Sequence, residues 1–365
     1  MERDAVCYVR EGGNDSHLCG RRRVGDANDL RHVFWTGSRW LVAGTTVTTS
    51  TDGVNWTGAT GLEAVSEITV MAWSGNRAVI LGFSTTFSTI TATSSDDGVT
   101  WTTAAAPDPS DFVSALVWAD DRFVATALGA TGNVLLSSTD GTTWTRSTAI
   151  GADAGIPLDP LSWSGLRLVA AQGSDIVTST DGNNWTKRTA NQSWDPRVAK
   201  IAGAGTDLLA VGDFGSIMNS SDGGVNWTAR DSGSASNLNA IVRAGAGWIV
   251  TGAEGAVVTS ADGAAWDSRS SGAVSTIRGV SVADGTWIAV GRDIDPIEGS
   301  SGAVILSDDG ITWTPVATPP ATPLYAVIRA GSEWVGMTRS ALRPAPRLLS
   351  SRCILCSSCF SPAAG

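Results

Sequence analysis

The sequence predicts an all-β protein, a β-propeller built from four-stranded blades. Three observations predict it. One short motif recurs seven times across the 365-residue chain, in steps of 45, 43, 41, 41, 40 and 47 residues. A hairpin-like unit precedes each copy at a similar offset. The 42 glycines and 16 tryptophans supply the turns and inter-strand packing that many short strands need.

The motif reads Ser-x-Asp-Gly and ends in tryptophan, as in SerThrAspGlyValAsnTrp from Ser50 or SerAspAspGlyIleThrTrp from Ser307. Its aspartates are read as Asp52, Asp97, Asp140, Asp181, Asp222, Asp262 and Asp309. Asp-Gly between two β-prone runs is a strong hairpin signal. The aspartate accepts from backbone N–H groups two residues on, and the glycine supplies the positive φ of the turn. The tryptophan then packs its ring between neighbouring strands. Every residue type has structural work there, so these aspartates are assigned to turns and not to catalysis.

Upstream of each motif comes a strand, a tight turn and a strand, as in residues 33–44 and 241–252. Others begin near Ile68, Val113, Leu161, Ile201 and Val280. Each period therefore reads as strands A and B, a connection, strand C, the motif turn and strand D. An eighth A–B hairpin at 325–337 has no motif after it, and ArgLeuLeuSerSer at 347–351 imitates a strand C. A closed ring leaves no unpaired edge, and the segment 5–10 offers a missing outer strand. Eight blades are expected, with seven blades and an extra terminal hairpin as the alternative. The domain reading is an N-terminal extension at 1–29, the propeller at 30–340 and a cysteine-containing tail at 341–365.

Eight tryptophans (Trp35, Trp40, Trp73, Trp118, Trp163, Trp248, Trp287 and Trp334) flank the A–B turns at repeating positions and read as blade packing. Trp194 lies outside this pattern. The net charge is −10, and residues 30–338 carry 29 acids against 16 bases. Non-specific nucleic-acid or anionic-membrane binding by the body is thereby disfavoured. No run approaches the length of an apolar membrane span, and no signal-peptide apolar region follows the charged first residues. Cys353, Cys356 and Cys359 have metal-site spacing without a nearby fourth ligand, and the bland reading of a cysteine-rich tail is preferred.

The motif resembles the Asp box, or BNR repeat, of sialidases, other glycoside hydrolases, sortilin-type receptors and photosystem II stability/assembly factors. The run 199–270 is most similar to the assembly-factor-like repeats, and the resemblance spans roughly 30–340. It implies a non-catalytic propeller that binds protein partners, in families often secreted or envelope-associated. A sialidase-like enzyme would need an arginine triad, an Arg-Ile-Pro segment and a tyrosine paired with a glutamate. The chain has Tyr8 and Tyr325 as its tyrosines and no Arg-Ile-Pro segment.

Variable loops on a rigid scaffold usually carry binding. The B–C and D–A connections are the variable ones, notably 104–112, 150–160, 190–197 and 292–302. Their candidate binding residues are Asp108, Asp111, Asp153, Asp159, Trp194, Asp195, Arg197, Asp213 and Glu254, which predict an acidic face. Asp293, Asp295 and Glu298 are a candidate calcium set, because closely spaced carboxylates can converge on a hard cation. No catalytic residue and no other cofactor is assigned. The expected protein is a monomeric scaffold for a protein or glycan, without nucleic-acid partner or membrane span. The alternative is a glycoside hydrolase using two carboxylates on the same face.

Overall fold

The computed structural model describes residues 7–10, 32–53, 55–148, 156–188, 196–245, 247–272, 275–295, 299–316, 323–330 and 333–338. They form seven four-stranded antiparallel sheets, each in chain order A-B-C-D, and one three-stranded sheet. The A strands of blades 1 to 7 are His32–Trp35, Val65–Trp73, Phe112–Ala119, Leu161–Trp163, Val198–Ala204, Leu238–Ala244 and Thr276–Ala283. Strand A of each blade contacts strand A of the next, so the sheets stand around a common axis.

The expectation of eight four-stranded blades is corrected to seven. Among the described residues, the eighth hairpin, Leu324–Ala330 with Glu333–Thr338, gains one further strand, Cys7–Arg10, which pairs antiparallel with Glu333–Thr338. The physical reason is the missing turn. In the seven blades a Ser-x-Asp-Gly turn returns the chain as strand D, and no such motif follows Thr338. The three-stranded sheet lies between blade 7 and blade 1, its Leu324–Ala330 strand touching the A strands of both.

The apolar cores lie between blades. One unites Val70, Val79 and Leu81 of blade 2 with Val113, Leu116, Phe123 and Leu136 of blade 3. Strands B and C have both faces covered, so they read as near-continuous apolar runs, as in Leu168–Gln172. The motif tryptophans close these seams: Trp101, Trp144, Trp185, Trp227 and Trp313 are all buried.

The turns that carry them share one hydrogen-bond pattern. In blade 3, Ser138 Oγ donates to Asp140 Oδ1 at 2.9 Å, and the same oxygen accepts the N–H groups of Thr142 and Thr143 at 2.8 and 2.7 Å. Trp144 Nε1 donates to Gly141 O at 2.9 Å. Equivalent bonds form around Asp52, Asp181, Asp222, Asp262 and Asp309. Blade 2 corrects the sequence reading. Its capping carboxylate is Asp96, which accepts from Ser94 Oγ and from the N–H groups of Val99 and Thr100. Asp97 is an inserted residue in the left-handed region at φ 59°, and its carboxylate accepts from Ser38 Oγ of blade 1 at 2.6 Å.

Backbone N–H donation holds several of these carboxyls far below the usual range. Asp140 is lowered to about 2, chiefly by the Thr143 N–H, Asp181 to about 2 by Asn184, and Asp309 to about 2 by Thr312. A folded pKa of about 2 below an unfolded value of ~3.9 contributes stability that is complete above the unfolded pKa and lost as pH falls through the folded one. Acid unfolding monitored by tryptophan fluorescence should therefore show stability falling between about pH 4 and about pH 2. Replacing Asp140, Asp181 and Asp309 by asparagine should flatten that slope. An unchanged acid profile in the triple variant would remove this account.

On the face bearing the A–B turns, aspartates staple neighbouring sheets. Asp120 accepts from Trp163 Nε1 at 3.1 Å, Asp207 from Arg243 Nη2 at 3.1 Å, and Asp284 from Arg329 Nη2 at 2.8 Å. Asp120 and Asp284 sit in A–B turns and Asp207 opens a strand B, and each partner lies at or near the end of the next sheet's A strand. Arg243 and Arg329 also lie over the rings of Trp248 and Trp334, 5.0 and 5.5 Å from the centroids.

Candidate functional site

The opposite face carries the B–C turns and D–A connections, and its centre is shaped by a recurrent β-bulge. Strand A loses register near its start in six sheets, leaving an extra residue at Thr69, Ser114, Ala199, Asn239, Arg278 and Tyr325. Blade 4 does the same at Asp159 and Pro160, which share Ala171 as backbone partner. A bulge re-aims the side chain it carries. Here the re-aimed groups reach the following sheet: Asn239 Nδ2 donates to Ile277 O at 3.4 Å, and Arg278 stacks on Tyr325 at 4.9 Å. Asp159 retains exposed surface, yet protein crowds it closely enough that desolvation raises its carboxyl above the usual range, against the opposing charges of Arg197 and Lys200 on blade 5.

Among the described residues, the predicted acids differ in their surroundings. Asp111 is 0% exposed and accepts two bonds from Arg146, at 2.6 Å from Nε and 2.9 Å from Nη2. Its assignment as a binding residue is corrected: it fastens the blade 2–3 connection to strand D of blade 3. Asp108 lies 3.6 Å from the same guanidinium and accepts from the N–H and Oγ of Ser110. Those Ser110 bonds, with Arg146, hold its carboxyl below the usual range. Arg197 is exposed, and its carbonyl accepts the Asp213 N–H. Asp213 is half-buried at the head of a one-turn 3-10 segment. Glu254 is exposed and accepts from Ser236 Oγ at 2.9 Å. Asp153, Trp194, Asp195 and Glu298 lie outside the described residues.

The 292–302 connection is also corrected. Instead of a loop, strand B of blade 7 runs to Asp295 and strand C resumes at Gly299, with Asp293 paired to Ser301 and Asp295 to Gly299. Ladder pairing fixes the backbone there, and among the described residues no three His, Cys, Asp or Glu side chains cluster as a metal site.

The face also presents aromatic residues that the sequence reading passed over. Phe87 is 87% exposed, Phe214 76% and Phe112 64%. Phe87 and Phe214 sit in B–C turns with φ of 59° and 55°, a region that bulky L-residues avoid. Phe112 packs against Phe83 of blade 2 with ring centroids 5.8 Å apart. The turn holding Phe87 adjoins the 109–112 segment, because Thr89 N donates to Pro109 O and Thr89 Oγ1 to Asp111 O. Phe83, Phe87 and Phe112 thus belong to one region of blades 2 and 3. The available signal was GlyAspPheGlySer at 212–216, where a phenylalanine stands inside a glycine turn in place of a core strand.

An opening of about 320 Å³ lies beside blade 6, lined by Ser234 and Ser236 of the connection into it, Glu254 of its B–C turn, Ser268 and Arg269 of its strand D, and Ser270 and Ser271 of the connection out. Glu254 is the one carboxylate in its lining.

Comparison with known proteins supports the fold. Residues 113–240, which span blades 3 to 5, match the DUF6242 beta propeller domain. YCF48 from Cyanidioschyzon merolae is similar in structure, with a TM-score of 0.55 at 13% identity over 84% of this chain and 98% of that one. YCF48 bound to D1 peptide gives 0.53 at 15% identity, over 86% and 93%. The computationally designed Ika8 protein gives 0.66 at 12% identity, over 87% and 95%. No curated protein matches the sequence. These likenesses make the chain a β-propeller.

Proposed function

We propose that this propeller is a non-catalytic scaffold, with repeats of the Asp-box type, that binds a protein segment across the B–C face. The observation that carries this reading is the aromatic region of blades 2 and 3. Exposing Phe87 at 87% in a left-handed conformation gains nothing for folding. Such a conformation costs on the order of 1–3 kcal/mol, and conformations of this kind cluster at functional sites. A rigid aromatic anchor supplies large contact area at low entropic cost when a partner covers it. The fold shared with YCF48, one structure of which is bound to D1 peptide, is in keeping with a peptide partner.

Peptides selected from a random display library against the whole protein test the reading. Selected sequences should be rich in apolar residues. Phe87→Gly and Phe112→Ser should each weaken them by about tenfold or more. Phe87→Gly should keep or raise the thermal midpoint, because glycine accepts the φ of 59° without strain. Peptides that bind both variants as well as the parent would refute the assignment.

A further inference from the structure

We propose that the seam between blade 7 and the three-stranded sheet, where it opens on the B–C face, holds a phosphate group, either as the free ion or as a monoester. The residues that bind it are Arg278, Arg292 and Thr276. Blade 1 and the three-stranded sheet separate this place from the aromatic region of blades 2 and 3. The inference goes beyond the protein-binding reading and does not rest on it.

Strand register puts the two arginines on one side of blade 7. Ile288, Val290 and Val304 of that blade pack against Leu324, Val327 and Trp334 of the three-stranded sheet. Side chains alternate along a strand, so Arg292 faces the same sheet, while Asp293 faces blade 6 as Ala289 does. Thr276 is paired directly with Arg292, and Arg278 is the residue that the bulge of strand A leaves over, two positions further on. A diagonal neighbour at that spacing is about 7–8 Å away, within reach of a long side chain. Arg278 turns to this side, because its guanidinium stacks over the ring of Tyr325, 4.9 Å from the centroid. Gly279, next to it, lies so close to the three-stranded sheet that a Cβ there would stand 3.0 Å from Ala326 Cα. The two sheets touch at that glycine, and both arginines stand on the B–C side of the contact.

The chemistry of these groups selects the ligand. The ion pairs of the described residues use Arg122, Arg146, Lys187, Arg243, Arg269 and Arg329, and neither Arg278 nor Arg292. Arg292 Nε is buried without a hydrogen-bond partner. At the equivalent place, one residue after the partner of the position preceding the bulge, blades 2 and 3 carry Phe83 and Leu128. Packing in this fold therefore does not call for an arginine at 292. A charged donor that is buried and unpaired is costly to a folded chain, and a bound anion supplies the missing acceptor. Guanidinium forks match the oxygens of phosphate. A phosphate monoester carries a charge of about −1.5 to −2 at neutral pH, which balances two cations, whereas a carboxylate balances one. Thr276 brings a hydroxyl opposite Arg292 that can donate to a phosphate oxygen.

The test is calorimetric titration of the full chain, at low ionic strength, with sodium phosphate, O-phosphoserine and sodium acetate. Inorganic phosphate or O-phosphoserine should bind with a Kd of about 1 mM or tighter, and the preference between them tells the free ion from the monoester. Arg292→Gln and Arg278→Gln should each weaken that binding about tenfold or more. Arg77→Gln removes the same charge from an A–B turn on the opposite face and should change binding by less than about twofold. Arg292→Gln should keep or raise the thermal midpoint, because it removes an unpaired buried charge, and so loss of binding is not loss of the fold. Binding should weaken from about pH 7.5 to about pH 5.5, as the second pKa of phosphate near 6 is crossed. The proposal is overturned if neither phosphate ligand binds at about 10 mM, or if acetate binds as tightly. It is also overturned if affinity is equal at the two pH values, or if both arginine variants weaken binding no more than Arg77→Gln does.

Discussion

Replacing Asp111 by alanine should destabilise the protein by about 3–5 kcal/mol, the usual penalty for removing one partner of a buried, hydrogen-bonded charge pair. The carboxylate is 0% exposed and receives both bonds of a bidentate arginine. Without it Arg146 keeps only Asp108, at 3.6 Å and partly in water. The main-chain contact of this segment to Thr89 would be loosened as well, since Thr89 Oγ1 donates to the Asp111 carbonyl. Urea unfolding of D111A, R146A and the double variant separates these contributions. Because the partners act as a unit, the double variant should cost clearly less than the sum of the singles. A loss of under about 1 kcal/mol in D111A would place the pair with ordinary surface ion pairs and defeat this account.

Trp227→Ala is the second large effect, also about 3–5 kcal/mol, the range for removing a large aromatic ring from a core. Trp227 is 1% exposed and shares a core with Val169, Ala171 and Ile176 of blade 4 and with Val198 and Leu208 of blade 5. Its indole nitrogen also donates to Gly224 O at 3.0 Å. Truncation therefore opens a cavity at a seam between two blades and not within one. Trp56 occupies the same motif position in blade 1 but is only half-buried, so Trp56→Ala should cost less than half as much. Equal losses in the two variants would mean that the indole hydrogen bond, which both share, decides the outcome and burial does not.

The repeat made the fold legible because each turn is a local device. Ser, Asp, Gly and Trp lie within a few residues of one another, and their bonds close over that span. Even there one register was misjudged. In blades 2 and 5 the serine and tryptophan of the turn, Ser94 to Trp101 and Ser220 to Trp227, are one residue further apart than in the other blades. That spacing was the sign that Asp96, not Asp97, caps the turn, as Asp222 does in blade 5. Blade number was less legible because a further A–B hairpin and the strand-like segment 5–10 together pointed to one more blade, while no Ser-x-Asp-Gly turn follows Thr338 to return a strand D.

The site was the least legible part. Whether an aspartate on a loop faces water or an arginine depends on partners far along the chain. Arg146 follows Asp111 by 35 residues, and nothing near Asp111 announces it. The exposed phenylalanines were hidden for the opposite reason. Composition counts every phenylalanine as core, and apart from the glycine turn around Phe214 only the folded chain reveals that Phe87 and Phe214 face outward. Glu254 was on the predicted face, but its opening is lined by one turn, strand D and the two connections flanking blade 6, a juxtaposition that only the folded blade creates.

The pairing of the chain's two ends also sets how the molecule bears mechanical load. Cys7 stands opposite Gly336 and Arg10 opposite Glu333, so the leading end of the first described strand and the trailing end of the last described one lie side by side. A pull applied between the two ends would act on adjacent points of one antiparallel ladder. It would open that ladder one hydrogen bond at a time, as a zipper, instead of shearing all its bonds together. Among the described strands, the seam where the sequence meets itself is thus the one a pull at Cys7 and Thr338 would unzip, ahead of the seven complete blades.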